Sequence, residues 1–196
     1  MAEIKSTMDL VMERMAKMTA NAKPVTSDED TTKEGMRLAA EYLNHNLGDL
    51  AATLAEQPAE KQKALYTGAV RTLLRNVLLP RDEALAESGR LALAAIMAIA
   101  GNLGVSSISK ICSELEQILQ QYNQHLDKVT QQLEDSLKAQ LEQQYGGRGM
   151  DTSRIRANMH PKYNEEMSQM QLELNGQYNQ AIQQRKDLLL QQLGLA

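Results

Sequence analysis

Apolar residues recur along most of this chain at steps of three and four, the spacing that places side chains on one face of an α-helix. The pattern predicts six helices, over about residues 3–18, 27–56, 59–79, 82–100, 106–145 and 163–193. No run of four to eight residues alternates between apolar and polar side chains as a half-buried strand does. We therefore predict an all-α fold, in which a helical bundle is followed by a long C-terminal antiparallel helical hairpin.

The two C-terminal predicted helices each carry a single narrow apolar stripe. From Leu115 to Leu141 the apolar positions are separated by about 3.7 residues on average, which is closer to an eleven-residue repeat than to a heptad. A glycine-rich run at residues 146–149 ends the first of these helices. Two helices of similar length joined by such a loop fold back on each other. The pattern thus predicts a nearly straight, coiled-coil-like hairpin over residues 106–196.

The rest of the chain divides into two segments. Residues 27–105 form the predicted bundle core, with the nearly all-apolar run 91–100 at its centre and Gly48 permitting a close helix approach. Residues 1–26 are predicted to form an N-terminal amphipathic helix and a linker. The apolar stripe of this helix consists of Ile4, Met8, Val11, Met12 and Met15. We interpret the stripe as packing within the protein or its dimer, with docking into a partner's groove as the alternative.

The composition argues against nucleic-acid-binding, disulfide-linked and membrane proteins. Phe and Trp are absent, so core volume must come from Leu, Ile, Met, Ala and the six tyrosines. The net charge of −4 argues against wholesale nucleic-acid binding. The single cysteine, Cys112, excludes an internal disulfide and suits a reducing compartment. Charges interrupt the N-terminal segment and the longest apolar run is too short for a bilayer, so we expect a cytoplasmic protein without membrane contact.

Candidate catalytic or metal-binding groups are sparse. His45, His125 and His160 lie in different predicted elements, and of the three only His45 has a carboxylate, Glu41, at a spacing that we consider for a metal. We expect solvated or hydrogen-bonded histidines. Cys112 is expected to be buried and inert, because a reactive thiol needs an exposed, electropositive setting. We predict no catalytic residue, no cofactor and no metal, and hence no enzyme.

The predicted hairpin tip is basic. Four cations, Arg148, Arg154, Arg156 and Lys162, lie close together in the sequence, and Asp151 is the one acid among them. Such a tip is typical of contact with an anionic partner. The candidates for this partner are phosphate, nucleic acid and an acidic protein surface. The simpler interpretation, which we favour, is a solvated turn whose glycines permit the chain reversal.

Two N-terminal segments carry a family resemblance. The chain resembles a family of uncharacterised, all-helical bacterial proteins in its opening, MAEIKSTMDLVMERM, and in residues 35–44, GMRLAAEYLN. The resemblance implies a bacterial cytoplasmic protein, and it implies no activity and no site residue.

These observations favour a non-enzymatic structural or protein–protein interaction module. We expect a homodimer, because a single apolar stripe on each hairpin arm is expected to be incompletely covered by the other arm. One alternative is a small-molecule-binding bundle with a cavity between the helices predicted over residues 27–56, 59–79 and 82–100, where the alanines of residues 91–100 leave room for an apolar ligand. A second alternative is an adaptor that contacts nucleic acid or another anionic partner through the basic tip. Of these partners, we expect nucleic acid less than another anionic partner.

Overall fold

The computed structural model describes residues 28–146 and 154–195, and within them the chain forms six α-helices and one short 3₁₀ helix. The α-helices are α1 (Asp28–Leu43), α2 (Leu50–Ala55), α3 (Ala59–Asn76), α4 (Glu83–Asn102), α5 (Ser107–Gly146) and α6 (Tyr163–Gln192). The 3₁₀ helix, Ala157–Met159, lies between α5 and α6. None of the described residues belongs to a strand, so the predicted all-α class is confirmed.

The predicted N-terminal helix and its stripe, Ile4, Met8, Val11, Met12 and Met15, lie outside the described residues.

The single helix predicted over residues 27–56 is wrong, because the chain turns between α1 and α2. His45 adopts a left-handed backbone conformation with φ 60°, and the amide of Asn46 donates to the carbonyl oxygen of Glu41 at 2.8 Å. The carboxylate of Asp49 then accepts from the amide of Ala52 at 2.9 Å and caps α2. The run Asn-His-Asn-Leu-Gly-Asp is rich in residues that favour turns, and this local preference outweighs the helical spacing of the leucines.

The predicted helix over residues 59–79 ends three residues early. Helix α3 stops at Asn76, and the segment that follows buries Val77 and Leu79 but leaves the side chain of Leu78 46% exposed. Pro80 accounts for this end, because a proline disfavours the helical conformation of the residue before it. Asp82 caps α4 as predicted, accepting from the amide of Leu85 at 2.8 Å.

Helices α1 and α3 cross at a point where two glycines remove the side chains between their backbones. A Cβ atom on Gly35 would overlap the carbonyl oxygen of Leu65, and one on Gly68 would overlap that of Thr32. The expectation that Gly48 serves a close approach is wrong, since a Cβ there would meet only open space. The contact therefore depends on one glycine from each helix, because only glycine lets backbones approach so closely.

The centre of the bundle is formed by α3 and α4. Both helices are buried along one broad face, and α4 is long and apolar enough to cross a membrane by length and composition alone. A core helix of a soluble protein meets the same criterion, and Leu93, Ile96 and Ile99 of α4 are fully buried in the core. The core continues into α5 through Ile108 and Leu115. One cluster of apolar side chains thus joins the bundle to the base of α5.

Helices α5 and α6 pack side by side and run in opposite directions. Their side-chain contacts pair Glu114 with Arg185, Tyr122 with Asn175, and Glu134 with Tyr163. Residue numbers rise along α5 while they fall along α6, which is the signature of antiparallel packing. A helix of the length of α5 spans about 60 Å. The buried residues of its distal half, Leu137 and Leu141, are not part of the main core, so the pair extends beyond the bundle.

Candidate functional site

The basic tip lies at the distal end of the α5–α6 pair. The side chains of Arg154 and Arg156 are exposed and precede the 3₁₀ helix, and the exposed Lys162 immediately precedes α6. The amide of Lys162 donates to Nδ1 of His160 at 3.2 Å, which shapes the entry to α6. These three cations thus share one short, exposed segment. The fourth predicted residue, Arg148, lies outside the described residues.

An apolar side chain accompanies these cations. Met159, in the 3₁₀ helix, is 60% exposed, and Tyr145 is exposed at the end of α5. We call Arg156, Met159 and Lys162 the distal surface. The hydroxyl of Tyr163 donates to Glu134 at 2.9 Å and fixes the start of α6 against α5. This hydrogen bond to Glu134 raises the pKa of Tyr163, so the hydroxyl keeps its proton and the contact persists at neutral pH.

A polar layer interrupts the apolar contact midway along the pair. The hydroxyl of Tyr122 donates to Oδ1 of Asn175 at 2.8 Å, and the Tyr178 hydroxyl lies 3.3 Å from Nδ1 of His125. The rings of Tyr122 and Tyr178 meet edge to face with centroids 5.3 Å apart. A buried hydroxyl needs its partner, so a slip of one helix along the other would break this layer. Its role is therefore to set the register of the pair.

An ion pair near the base of the pair serves the same purpose. Nε of Arg185 on α6 is buried and lies 2.7 Å from Oε2 of Glu114 on α5. The distance is that of an ion pair, although the N–H is not aligned as in a hydrogen bond. This contact therefore holds α6 against α5 in the same register as the polar layer does.

Cys112 is fully buried on α5, as predicted. Burial, with a smaller contribution from the charge of Glu116, raises the pKa of its thiol to about 12. A thiol with that pKa is protonated at neutral pH, whereas the thiolate is the nucleophile and the metal ligand. Cys112 is thus a small apolar residue of the core.

The histidines do not converge with other ligands. His45 lies in the turn after α1, while the carboxylate of Glu41 contacts Arg37 at 2.8 Å, so the pair considered for a metal does not form one site. Within residues 28–146 and 154–195, no three His, Cys, Asp or Glu side chains come together as a metal site.

A cleft of about 320 Å³ lies between the first half of α4 and the first half of α5. Its lining is mixed, with Leu93 and Leu119 beside the charged Glu83, Arg90 and Glu116. Arg90 and Glu83 pair with each other at 2.8 Å. Because its cation is already paired with a carboxylate of the same cleft, we do not assign this cleft a ligand.

The alanines of residues 91–100 lie on both sides of α4. Ala92, Ala95 and Ala100 are buried in the core, and Ala94 and Ala98 face solvent. The small residues of α4 therefore serve close packing on one side and lie open on the other.

A second groove, of about 250 Å³, lies between α3 and α6 and is basic. Its lining includes Arg71 and Arg75 from α3 and Lys186 from α6, together with Leu74 and Leu190. These cations are not among the predicted site residues, because Lys186 is separated from Arg71 and Arg75 by more than a hundred residues. The one signal in the sequence is the spacing of Arg71 and Arg75, which places both on one face of a helix.

Comparisons with known proteins add a family and no activity. The model of the family of unknown function DUF6657 matches residues 51–191, which is more than half of the chain. No curated protein and no solved structure matches. The matched region begins in α2 and includes the core helices, most of α6 and the distal surface. This chain is therefore a member of DUF6657, a family of unknown function.

Proposed function

We propose that this protein is a non-enzymatic interaction module that contacts a second protein through the distal surface. The observation that carries the proposal is the 60% exposure of Met159 between exposed cations, at the end of a helix pair that extends beyond the core. Methionine adapts its shape to a partner, and arginine binds carboxylates through two parallel hydrogen bonds. The chemistry fits a partner with an apolar patch bordered by Asp or Glu.

The geometry of the pair supports this use. The polar layer at Tyr122 and the hydrogen bond between Tyr163 and Glu134 hold the two helices in one register. A surface on a preorganised support loses less conformational entropy when it binds than a surface on a flexible loop does. The distal surface also lies clear of the bundle, so a partner reaches it without moving the core.

The test is quantitative affinity capture from native cells with the full chain as bait. The tip variant combines Met159→Ser with Arg156→Ser, and the matched control combines Leu103→Ser with Arg81→Ser, which removes another exposed apolar residue and an exposed cation near the bundle. We expect wild type and control to enrich the same protein, and the tip variant to lose it at least tenfold. Equal enrichment by all three baits would overturn the proposal, provided that circular dichroism shows equal helicity.

We also propose self-association, on different grounds from those of the sequence. Every residue of the apolar stripe of α5 between Leu115 and Leu141 is buried or half-buried. This stripe is therefore not exposed, and it gives no support to a dimer. Leu172, on the outer side of α6, is instead 74% exposed. Sedimentation at high micromolar concentration is expected to show a dimer that Leu172→Glu dissociates. A strict monomer of the wild-type protein would refute this part of the proposal.

The adaptor function remains the alternative, with the same surface contacting an anionic partner such as nucleic acid. Binding of that kind weakens steeply with salt. Charge reversal of Arg148, Arg154 and Arg156 together should abolish it. The net charge of −4 favours a protein partner instead.

Location and origin are proposals as well. The buried free thiol of Cys112 supports a reducing compartment such as the cytoplasm. A bacterial origin is supported by the resemblance of residues 1–15 and 35–44.

A further inference from the structure

The basic groove between α3 and α6 brings three like charges together. Arg71 and Arg75 come from one helix and Lys186 from the other, and Gln183 is the neutral polar group among them. No carboxylate among the described residues pairs with these three cations. The guanidinium of Arg71 reaches the carbonyl oxygen of Leu195 at 3.4 Å, which is a long and weak hydrogen bond. The residues that the structure describes thus leave much of the hydrogen-bonding capacity of these three cations unused.

The position of Lys186 makes this arrangement costly for the free protein. Its side chain is half-buried, and burial lowers the pKa of its ammonium, an effect that the neighbouring Asp187 opposes. Asp187 itself points its carboxylate to Gln183, which donates to it at 2.8 Å. A partly desolvated cation beside two other cations is stabilised when an anion approaches. The groove is therefore more favourable when it is occupied by a negative ligand.

The size and chemistry of the groove define the ligand. A volume of about 250 Å³ admits a small molecule and excludes a folded domain. Two arginines four residues apart on one helix face present planar donor groups that match the oxygens of a phosphate, and a lysine acts on it as a point charge. Leu74 and Leu190 supply apolar surface for the part of the ligand that carries the phosphate. We propose that this groove binds a small phosphate-bearing molecule through Arg71, Arg75 and Lys186.

Inorganic pyrophosphate is the probe for this site. Thermal unfolding of the full chain is followed in pyrophosphate, in succinate and in sodium chloride, all at one ionic strength and pH. A ligand present at ten times its Kd raises the midpoint of a domain of this size by about 4 °C. We expect that rise with pyrophosphate, and less than a quarter of it with succinate or chloride.

Two double variants show whether pyrophosphate binds in this groove. Arg75→Gln with Lys186→Met removes two cations and keeps the apolar stem of the lysine, and we expect the apparent Kd for pyrophosphate to rise at least tenfold. Lys63→Gln with Arg81→Gln removes two exposed cations elsewhere, and we expect it to bind as wild type does. The proposal is overturned if both double variants bind equally, or if succinate stabilises the wild-type protein as much as pyrophosphate.

Discussion

Replacing Gly68 by alanine tests the close crossing of α1 and α3. The new Cβ would overlap the carbonyl oxygen of Thr32 and lie 3.0 Å from the amide nitrogen of Met36. Both are backbone atoms of α1, so no side chain can turn aside. The helices must therefore part by about 1 Å, which forfeits a quarter to a half of the dispersion energy between the atoms at the contact.

The magnitude follows from two opposing effects. Overpacking of this kind costs about 3 kcal/mol, the upper part of its usual range, because the clash is with backbone. Alanine in place of glycine within a helix returns about 1 kcal/mol. We thus expect Gly68→Ala to lower the free energy of unfolding by about 2 kcal/mol.

Gly176 provides the matched control for this substitution. It lies within α6, and a Cβ there would meet nothing within 4 Å. Gly176→Ala should therefore stabilise the protein by up to about 1 kcal/mol. Urea unfolding followed by circular dichroism measures both changes. If Gly68→Ala left the midpoint unchanged or raised it as Gly176→Ala does, the close crossing would be refuted.

Four smaller perturbations test other parts of the structure. Tyr122→Phe removes the hydrogen bond to Asn175 and should cost about 1 kcal/mol in urea unfolding. Asp82→Ala leaves the amide of Leu85 without its cap and should also lower the free energy of unfolding by about 1 kcal/mol. A change of less than about 0.3 kcal/mol would contradict a stabilising role of this cap. Cys112 should react with a thiol reagent at pH 8 only as fast as the protein unfolds, and fast labelling of native protein would contradict its burial. Because the folded pKa of Cys112 is raised to about 12, the stability that its thiol contributes is complete below pH 9 and is lost progressively as pH rises towards 12. Cys112→Ala should remove this part of the alkaline dependence and leave the part that comes from the raised pKa of Tyr163.

The sequence predicts the helices well because their signals are local. The apolar spacing from Leu115 to Leu141 and the cap at Asp82 each depend on residues within a few positions of one another. The helical spacing does not predict the turn at His45, because leucines at that spacing continue through it, although the turn preference of Asn, Gly and Asp opposes a helix there.

Features that depend on two distant segments could not be predicted in this way. A glycine in a helix looks the same in sequence whether it lies at a crossing, as Gly35 does, or in open space, as Gly176 does. Lys186 joins Arg71 in one groove only because α6 returns along α5 to the side of α3. Such contacts are set by tertiary packing, which a single sequence does not display.

Site-specific photo-crosslinking tests the central claim most directly, namely that the distal surface is where this protein meets its partner. A photoreactive amino acid replaces Met159 in one full-length chain and Leu103 in another, since Leu103 is 40% exposed and lies at the opposite end of α5, about 60 Å away. After irradiation in native cells, we predict a discrete adduct with a second protein from position 159 and none of that mass from position 103. The same adducts from both positions, or none from position 159, would contradict the account.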